Sequence, residues 1–240
     1  STQAKTLFPY TTLFRSWAGD QAGYKRHDGE LGFFTPILKG FLTEMGLEAA
    51  NLGMQVYGGH GYIREHGMEQ IARDARIATL YEGTTGIQAL DLLGRKVLLQ
   101  TRGQCVRDFT AQMWALARPG LLAGGLRGRM ARALARRAVQ WNTLTLRLML
   151  KAKADPEQVG ASSVDYLMYC GYVMMAYHWA LMAQRAEQAL HSGQGPESAA
   201  FYQAKLQTAQ FYFERLLPRA DAHHRMALAP ASTLLQMPVE

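Results

Sequence analysis

The sequence predicts an all-α protein built from helical bundles. Two observations carry this prediction: apolar residues recur at three- and four-residue intervals through most of the chain, and glycine and proline separate the stretches in which they do so. With 240 residues, 48% of them hydrophobic, the chain can bury one sizeable core or two modest ones. Its 8 prolines argue against extensive disorder, so we expect a globular protein.

The net charge and the two cysteines place only weak limits on the class of protein. A net charge of +7 and a pI near 9.5 are compatible with an anionic small molecule, an acidic protein, a membrane surface or nucleic acid. Cys105 and Cys170 have neither metal-ligand spacing nor the pattern of a disulfide framework. We therefore expect reduced thiols, a cytoplasmic location and no metal site.

The N-terminal stretch differs from the rest of the chain. Residues 6–16, TLFPYTTLFRS, read as a β-like segment broken by Pro9. They also resemble the translation of a sequencing-library adapter, so we expect residues 1–16 to be a non-native leader and the gene-derived chain to begin near Trp17. Because there is no initiating methionine, we expect the chain to be part of a longer protein.

The first region predicts three helices. Residues 17–32 suggest a loop, after which Thr35 serves as N-cap and Pro36 as the first helical residue. A short helix is expected between Met68 and Leu80, and Thr84 or Thr85 can cap the next one. The apolar stripes predicted to face the core are Ile37, Leu38, Phe41, Leu42, Met45, Leu52 and Val56 in the first helix, Ile71, Ala75, Ile77 and Leu80 in the second, and Ile87, Leu90, Leu93, Val97 and Leu98 in the third.

Two loops between these helices carry the candidate chemistry, and we expect them to lie close together. The first, Gly58 to Tyr62, brings three glycines together, so that backbone N–H groups can approach a phosphate; the alternative is a helix C-cap and tight turn. The second, Tyr81 to Gly86, places the carboxylate of Glu82 between an aromatic residue and a glycine. Glu82 is a candidate general base, and the alternative is a residue that merely starts a helix.

Several ordered motifs together resemble one known family. They are Gln55-x-x-Gly58-Gly59-x-Gly61-Tyr62, then Arg73-Asp74-Ala75-Arg76, then Tyr81-Glu82-Gly83-Thr84 followed by Ile87-Gln88. This string resembles the C-terminal helical domain of acyl-CoA dehydrogenases, which here covers residues 17–102. For the group around Arg73, an ion-paired surface turn is the alternative interpretation.

The resemblance implies a flavin-dependent reaction at a fatty acyl-CoA thioester. Glu82 is then the acceptor of the α-proton while the β-hydrogen leaves as hydride to FAD, and Tyr81 and Gly83 lie at the substrate. The implied FAD contacts come from Gln55, Gly58, Gly59, Gly61 and Thr84, with the glycine loop at the pyrophosphate of the neighbouring subunit's FAD.

The resemblance also implies binding partners, and at one position the sequence differs from the family pattern. The expected partners are an acyl-CoA substrate, an electron-transfer flavoprotein or similar acceptor, and further copies of the chain in a homodimer or homotetramer. Gly86 departs from the family pattern, in which many members carry glutamine, so no side-chain contact to FAD is expected there. The N-terminal helical domain and the β-domain of the family lie outside this sequence.

Residues 103–240 predict an appended helical bundle. Its long helices are expected at Leu126 to Lys153, Val164 to His191 and Glu197 to Ala220. This arrangement resembles the extra C-terminal domain of the larger family branch that includes 3-methylmercaptopropionyl-CoA dehydrogenases. His178 is expected in the core, and His223 and His224 on the surface, with no metal between them.

Two features of this bundle leave alternatives open. Arginines crowd its first long helix, either as a solvated face or as a basic surface for lipid headgroups, CoA phosphates or nucleic acid: Arg127, Arg129, Arg132, Arg136 and Arg137. A nucleic-acid-binding relative with little catalysis is therefore the alternative function. Residues 166–183 carry no charge but include His178, so we expect a buried helix and no membrane span, with peripheral membrane contact left open.

Overall fold

A computed structural model describes residues 21–236, and every regular element in this range is helical. The predicted all-α class is confirmed. The predicted leader, residues 1–16, lies outside the described residues. The chain divides into two compact units, one ending at Cys105 and one beginning at Val106, and each is described below by itself.

The helices follow one another with short connections. They are α1 Gln21–Val56, α2 Gly59–Tyr62, α3 Met68–Ile77, α4 Thr85–Leu90, α5 Gln104–Ala117, α6 Gly125–Ala154, α7 Glu157–Ser192, α8 Ala199–Phe211, α9 Arg219–Ala227 and α10 Ser232–Leu235. Single 3₁₀ turns lie at Arg64–His66 and Arg118–Gly120. π-helical stretches at Asp91–Gln100 and Tyr212–Leu216 continue α4 and α8 directly.

Helix α1 is the central helix of the first unit, because α3, α4 and the π-helical stretch after α4 all pack on it. Its buried side chains include Phe33, Ile37 and Phe41, and the π-helical stretch buries Leu93 and Val97. The loops that precede α3 and α4 are therefore held at fixed positions along one long helix.

The predicted start of α1 was wrong. The helix begins at Gln21 and runs through Pro36, and Thr35 donates its hydroxyl to the Leu31 carbonyl at 2.7 Å instead of capping an end. An interior proline costs about 3 kcal/mol because it removes one backbone hydrogen bond and crowds the preceding turn. Burial of Phe33 and Phe41 on either side of it contributes roughly 1.5–3 kcal/mol each, which is enough to carry the helix across the proline.

The apolar stripes of the first unit are only partly buried. Ile37 and Phe41 are in the core as predicted. Apolar residues predicted to be buried but exposed in this unit are Leu38, Leu42, Leu52, Val56, Ile71, Ile77, Leu80, Ile87 and Leu90. The periodicity identified the helices correctly, but the described part of this unit covers only one side of α1 and leaves the remaining apolar positions in contact with solvent.

Helix α7 is the centre of the second unit, where it packs against α6, α8 and α9. The predicted helix from Leu126 to Lys153 is confirmed as α6. The predicted start of α7 at Val164 was late, because the helix already begins at Glu157, directly after Pro156. Within the described part of the chain, no helix is both long and apolar enough to cross a membrane.

A buried polar group ties α6 to α7. The indole N–H of Trp141 donates to the Tyr166 hydroxyl at 3.2 Å, and Thr145 shares a hydrogen bond with the same hydroxyl at 2.8 Å. Trp141, Tyr166 and Thr145 are all buried, so the pairing leaves none of these groups without a partner inside the bundle.

The last predicted helix, Glu197 to Ala220, was wrong in extent. Ser198 caps α8 by accepting a hydrogen bond from the Phe201 N–H at 3.2 Å, but α8 passes into the π-helical stretch and ends before Pro218. A new helix, α9, starts at Arg219 and packs on α7. Proline favours this break because its ring cannot continue the preceding turn.

Three of the four histidines of the second unit, His178, His223 and His224, were misplaced by the prediction. His223 and His224 lie half-buried between α9 and α7: His223 Nδ1 is 2.9 Å from Asp165 Oδ1, and the His224 ring centroid is 5.9 Å from that of Tyr169. His178, predicted in the core, is exposed. The error follows from the missing break before α9, because a continuous helix would not return these residues to α7.

Candidate functional site

The bend that carries Glu82 has an unusual backbone. Glu82 adopts φ 53° and Gly83 φ 91°, so two consecutive residues are left-handed. Thr84 then caps α4, its hydroxyl accepting a hydrogen bond from the Ile87 N–H at 3.4 Å. A left-handed glutamate costs roughly 1–2 kcal/mol, because its Cβ crowds the following carbonyl. Such strain is a feature of functional sites and is maintained only where surrounding contacts hold it.

Three side-chain hydrogen bonds hold this bend and the start of α4. The Lys39 ammonium donates to the Gly83 carbonyl at 2.6 Å, and the Gln88 amide donates to the Glu82 carbonyl at 3.1 Å. The Thr85 hydroxyl donates to Glu44 Oε1 at 2.5 Å. Both carbonyls of the bend are therefore tied, one to α1 and one to α4.

The side chains of the bend point outward. Glu82 and Tyr81 are exposed, and the Lys39 ammonium lies 5.8 Å from the centre of the Tyr81 ring. A carboxylate on a fixed backbone, open on its outer side, can reach a proton on a molecule bound against this face. Glu82 lies two residues before Thr84, the N-cap of α4, and makes no capping contact with that helix.

The glycine loop uses its three glycines differently. Gly58 has φ 60° and ψ −143°, a conformation that requires glycine. Gly61 is buried, and a Cβ there would overlap the Met54 carbonyl oxygen. Gly59 is exposed, has no positive φ, and a Cβ there would meet nothing within 4 Å. The first unit therefore explains the glycines at positions 58 and 61, but not the one at position 59.

The two loops lie at separate places along α1, which corrects the expectation that they are close together. Gly83 is bound by Lys39, whereas α3 begins beside Gly53, where an added Cβ would meet Met68 Cε at 2.7 Å. Lys39 and Gly53 are 14 positions apart, which at about 1.5 Å per helical residue separates them by roughly 21 Å. Gln55, at the end of α1, is exposed on the glycine-loop side.

The basic group on α3 is open to solvent. Arg73, Asp74 and Arg76 are all exposed, and none of them forms an ion pair within 4 Å with any residue in the range 21–236. The interpretation as an ion-paired surface turn is therefore wrong for this unit.

Sequence reasoning missed Lys39 and Glu44 as parts of the site. Both are charged residues in the otherwise largely apolar run from Pro36 to Met45, and both are half-buried. That interruption was the available signal, although it does not tell which loop the charges would contact.

Four of the five arginines in the first half of α6 are exposed, and the fifth, Arg137, is buried. Arg137 is buried and pairs with Asp221 through two hydrogen bonds of 2.6 and 2.8 Å. The guanidinium of Arg137 holds the pKa of Asp221 below its ordinary value of 3.8. Arg136 also lies 3.8 Å from Asp221, so two of the five arginines converge on one carboxylate.

The other three arginines of α6 point to different neighbours. Arg129 lies 3.8 Å from Glu214, and Arg132 donates to the carbonyls of Leu121 and Ala123 at 3.0 and 3.2 Å. Arg127 lines a pocket together with Glu187. Basic charge on α6 is thus distributed among the partners of the bundle.

Within the described part of the chain, no group of three or more His, Cys, Asp or Glu residues could hold a metal ion. Cys105 is half-buried, Cys170 is buried, and neither forms a disulfide.

Comparisons with known proteins identify the family of the chain. The family model "Acyl-CoA dehydrogenase, C-terminal domain" matches residues 10–98, and the model "Acetyl-CoA dehydrogenase C-terminal like" matches residues 106–238. The chain belongs to the acyl-CoA dehydrogenase family.

Individual relatives are similar over most of this chain. The 3-methylmercaptopropionyl-CoA dehydrogenase of Ruegeria pomeroyi is 40% identical over 85% of this chain and 34% of its own length. The broad-specificity linear acyl-CoA dehydrogenase FadE5 of Mycobacterium tuberculosis is 32% identical over 76% of this chain and 31% of its own. A butyryl-CoA dehydrogenase of Syntrophomonas wolfei is 26% identical over 96% and 38%. The chain spans about a third of the length of these relatives.

Proposed function

We propose that this chain is the C-terminal part of a flavin-dependent acyl-CoA dehydrogenase, in which Glu82 removes the α-proton of an acyl-CoA thioester. The observation that carries the proposal is the left-handed bend at Glu82 and Gly83, whose two carbonyls are both held by side chains while the carboxylate remains exposed. Membership of the acyl-CoA dehydrogenase family supports the same reaction.

The chemistry makes a fixed carboxylate necessary. A proton next to a thioester carbonyl is only weakly acidic, so its removal needs a base held in line with the C–H bond. Glu82 takes this proton, and the thioester becomes α,β-unsaturated as the β-hydrogen leaves with its electron pair. FAD, when bound, supplies the oxidant that accepts this hydride. Tyr81 and Gly83 flank Glu82 and are the proposed substrate contacts.

The glycine loop fits the phosphate region of a dinucleotide. Gly59 is exposed and has open space where a side chain would stand, so a ligand can approach its backbone closely. We assign Gly58, Gly59, Gly61 and the exposed Gln55 to FAD on this basis. We also assign Thr84 to FAD; its hydroxyl accepts the capping hydrogen bond of α4.

The separation of the loops supports a homo-oligomer. The two loops pack beside positions of α1, Lys39 and Gly53, that are roughly 21 Å apart along the helix, so we assign the loops to different active sites. In a homodimer or homotetramer the loop serves the neighbouring subunit's FAD while Glu82 serves its own. The proposed electron acceptor is an electron-transfer flavoprotein or a similar protein.

We assign residues 17–102 to the catalytic C-terminal domain and residues 103–240 to an appended bundle. We do not propose nucleic-acid binding, because the arginines that suggested it pair with Asp221 and Glu214, bind carbonyls or line a pocket.

The test uses the full-length protein that carries this chain. Glu82→Gln keeps the size of the side chain but removes the proton acceptor, so flavin content should be unchanged while flavin bleaching by acyl-CoA slows by about 10²- to 10⁴-fold. Gly59→Val is expected to have the opposite effect: an added Cβ at position 59 has nothing within 4 Å, so the fold should persist while FAD is lost. Bleaching of Glu82→Gln at the unmodified rate would show that the carboxylate is not the base.

A further inference from the structure

Lys39 has partners that are unusual for a lysine. It is half-buried on α1, and its ammonium donates to the Gly83 carbonyl at 2.6 Å and lies 5.8 Å from the centre of the Tyr81 ring. Within residues 21–236 no carboxylate lies within 4 Å of it. The charge is therefore directed at the backbone and ring of the bend and is not part of an ion pair.

The contacts of the bend give Lys39 a role that its neighbours cannot replace. Gln88 holds the Glu82 carbonyl, but it belongs to α4 and moves with it. Glu44 connects α1 to Thr85, at the start of α4 and beyond the bend. Lys39 is the α1 side chain, among those described, that hydrogen-bonds to the bend itself.

The backbone explains why such a tether matters. Glu82 and Gly83 are both left-handed, and a glutamate leaves that conformation readily when nothing holds it. Rotation of either residue redirects the Glu82 side chain, while α4 stays anchored through Glu44 and Thr85. Loss of the hydrogen bond from Lys39 should therefore change the direction of the Glu82 carboxylate without detaching α4 from α1.

We propose that Lys39 is a positioning residue that fixes the direction of the Glu82 carboxylate by holding the Gly83 carbonyl. The inference rests on the proposed function, since it assigns Lys39 a role that acts through Glu82. It adds a residue 43 positions upstream of the base, on another helix, to the machinery of proton removal.

The experiment compares four variants of the full-length flavoprotein with the unmodified protein and with Glu82→Gln alone. Lys39→Met keeps most of the side-chain volume but removes the donor, and Lys39→Arg restores a donor. Lys25→Met makes the same change at an exposed lysine of α1. The fourth variant combines Lys39→Met with Glu82→Gln. The measured quantities are flavin content, the melting temperature, and the rate and substrate dependence of flavin bleaching by acyl-CoA.

We expect Lys39→Met to lower the bleaching rate at saturating acyl-CoA by about 10²-fold, the scale of loss for a misplaced catalytic group, with little change in half-saturation. Lys39→Arg should recover most of the rate, and Lys25→Met should match the unmodified protein. In the Glu82→Gln background, Lys39→Met should add no further loss, because both changes remove the same step.

The outcomes separate the two proposals. An unmodified rate in Lys39→Met overturns the positioning role. An equal further loss in the Glu82→Gln background also overturns it, because Lys39 would then act on the fold or the substrate and not through the base. If Lys39→Met does not fold with flavin, failure of Lys39→Arg to recover the rate decides against the proposal. An unmodified rate in Glu82→Gln alone instead refutes the proposed function.

Discussion

Removing the carboxylate of Asp221 should destabilise the second unit strongly. Arg137 projects from α6 and is paired with Asp221 of α9 through hydrogen bonds of 2.6 and 2.8 Å. The side chain of Arg137 is 6% exposed and that of Asp221 is 39% exposed. Asp221→Ala therefore leaves a buried guanidinium without its carboxylate, whereas Arg137→Met leaves a carboxylate that water can reach.

The contacts around the pair determine how much free energy of unfolding each variant should lose. Breaking a buried pair by removing one partner costs about 3–5 kcal/mol. Gln140 Oε1 accepts from Arg137 at 2.5 Å and stays in place, so Asp221→Ala should lie near the lower end, at about 3 kcal/mol. Arg137→Met should cost about 2 kcal/mol, the scale of hydrogen bonds to a charged group, because Asp221 becomes hydrated.

Urea unfolding followed by tryptophan fluorescence reports mainly on this unit. Three of the four tryptophans of the chain lie in the unit that begins at Val106: Trp114, Trp141 and Trp179. Glu197→Ala is the control, because it also removes a carboxylate of this unit, from an exposed residue. If Asp221→Ala lowers the free energy of unfolding by no more than Glu197→Ala does, the pair does not hold α9 on α6.

The Arg137–Asp221 pair should also make the stability of the second unit depend on pH in acid. Arg137 lowers the pKa of Asp221 in the folded state below its ordinary value of 3.8. The stabilisation is therefore complete above pH 3.8 and is lost as the pH falls through the lower pKa of the folded state, because protonation then removes the carboxylate charge. Asp221→Ala should lose this part of the acid dependence, and an unchanged acid limb would contradict the assignment.

Two further predictions concern single side chains. Gly61→Ala should lower the free energy of unfolding by roughly 1–3 kcal/mol, because the new methyl group overlaps the Met54 carbonyl. Gly59→Ala should leave it nearly unchanged, because a Cβ there meets nothing within 4 Å. Thermal unfolding followed by circular dichroism measures both, and equal effects would refute the difference in packing. Burial, with a smaller contribution from Arg147, lowers the pKa of His224 below 6.5, so the second unit should lose stability as the pH falls below 6.5, and His224→Gln should remove that loss. A pH dependence that is unchanged in His224→Gln would refute this role.

The sequence identified most helices, because periodicity reports directly on the local backbone. Helix α6 was predicted within one residue at each end. The failures were at prolines: α1 runs through Pro36, while the last predicted helix breaks before Pro218. A proline costs about 3 kcal/mol in either place, and only the burial of the surrounding side chains decides whether the helix continues.

The candidate site was also predicted only in part, because some of its contacts join residues that are far apart in the chain. The motif Tyr81 to Thr84 indicated Glu82, and it correctly included Thr84 as a possible N-cap. Lys39 and Glu44 bind residues that are 44 and 41 positions away in the chain. No local pattern contains such a pairing, because it depends on α1 and α4 packing together.

Helix α1 explains how one unit can hold two separate loops at a constant distance. Lys39 fixes the bend that carries Glu82, and Gly53 receives Met68 at the start of α3, beside the glycine loop. The segment between these two positions contains no proline and is helical throughout. Pro36, where bending of a helix is easiest, lies on the N-terminal side of Lys39. A change of direction at Pro36 therefore moves the first part of α1 and leaves unchanged the spacing between the proposed base and the proposed FAD contacts.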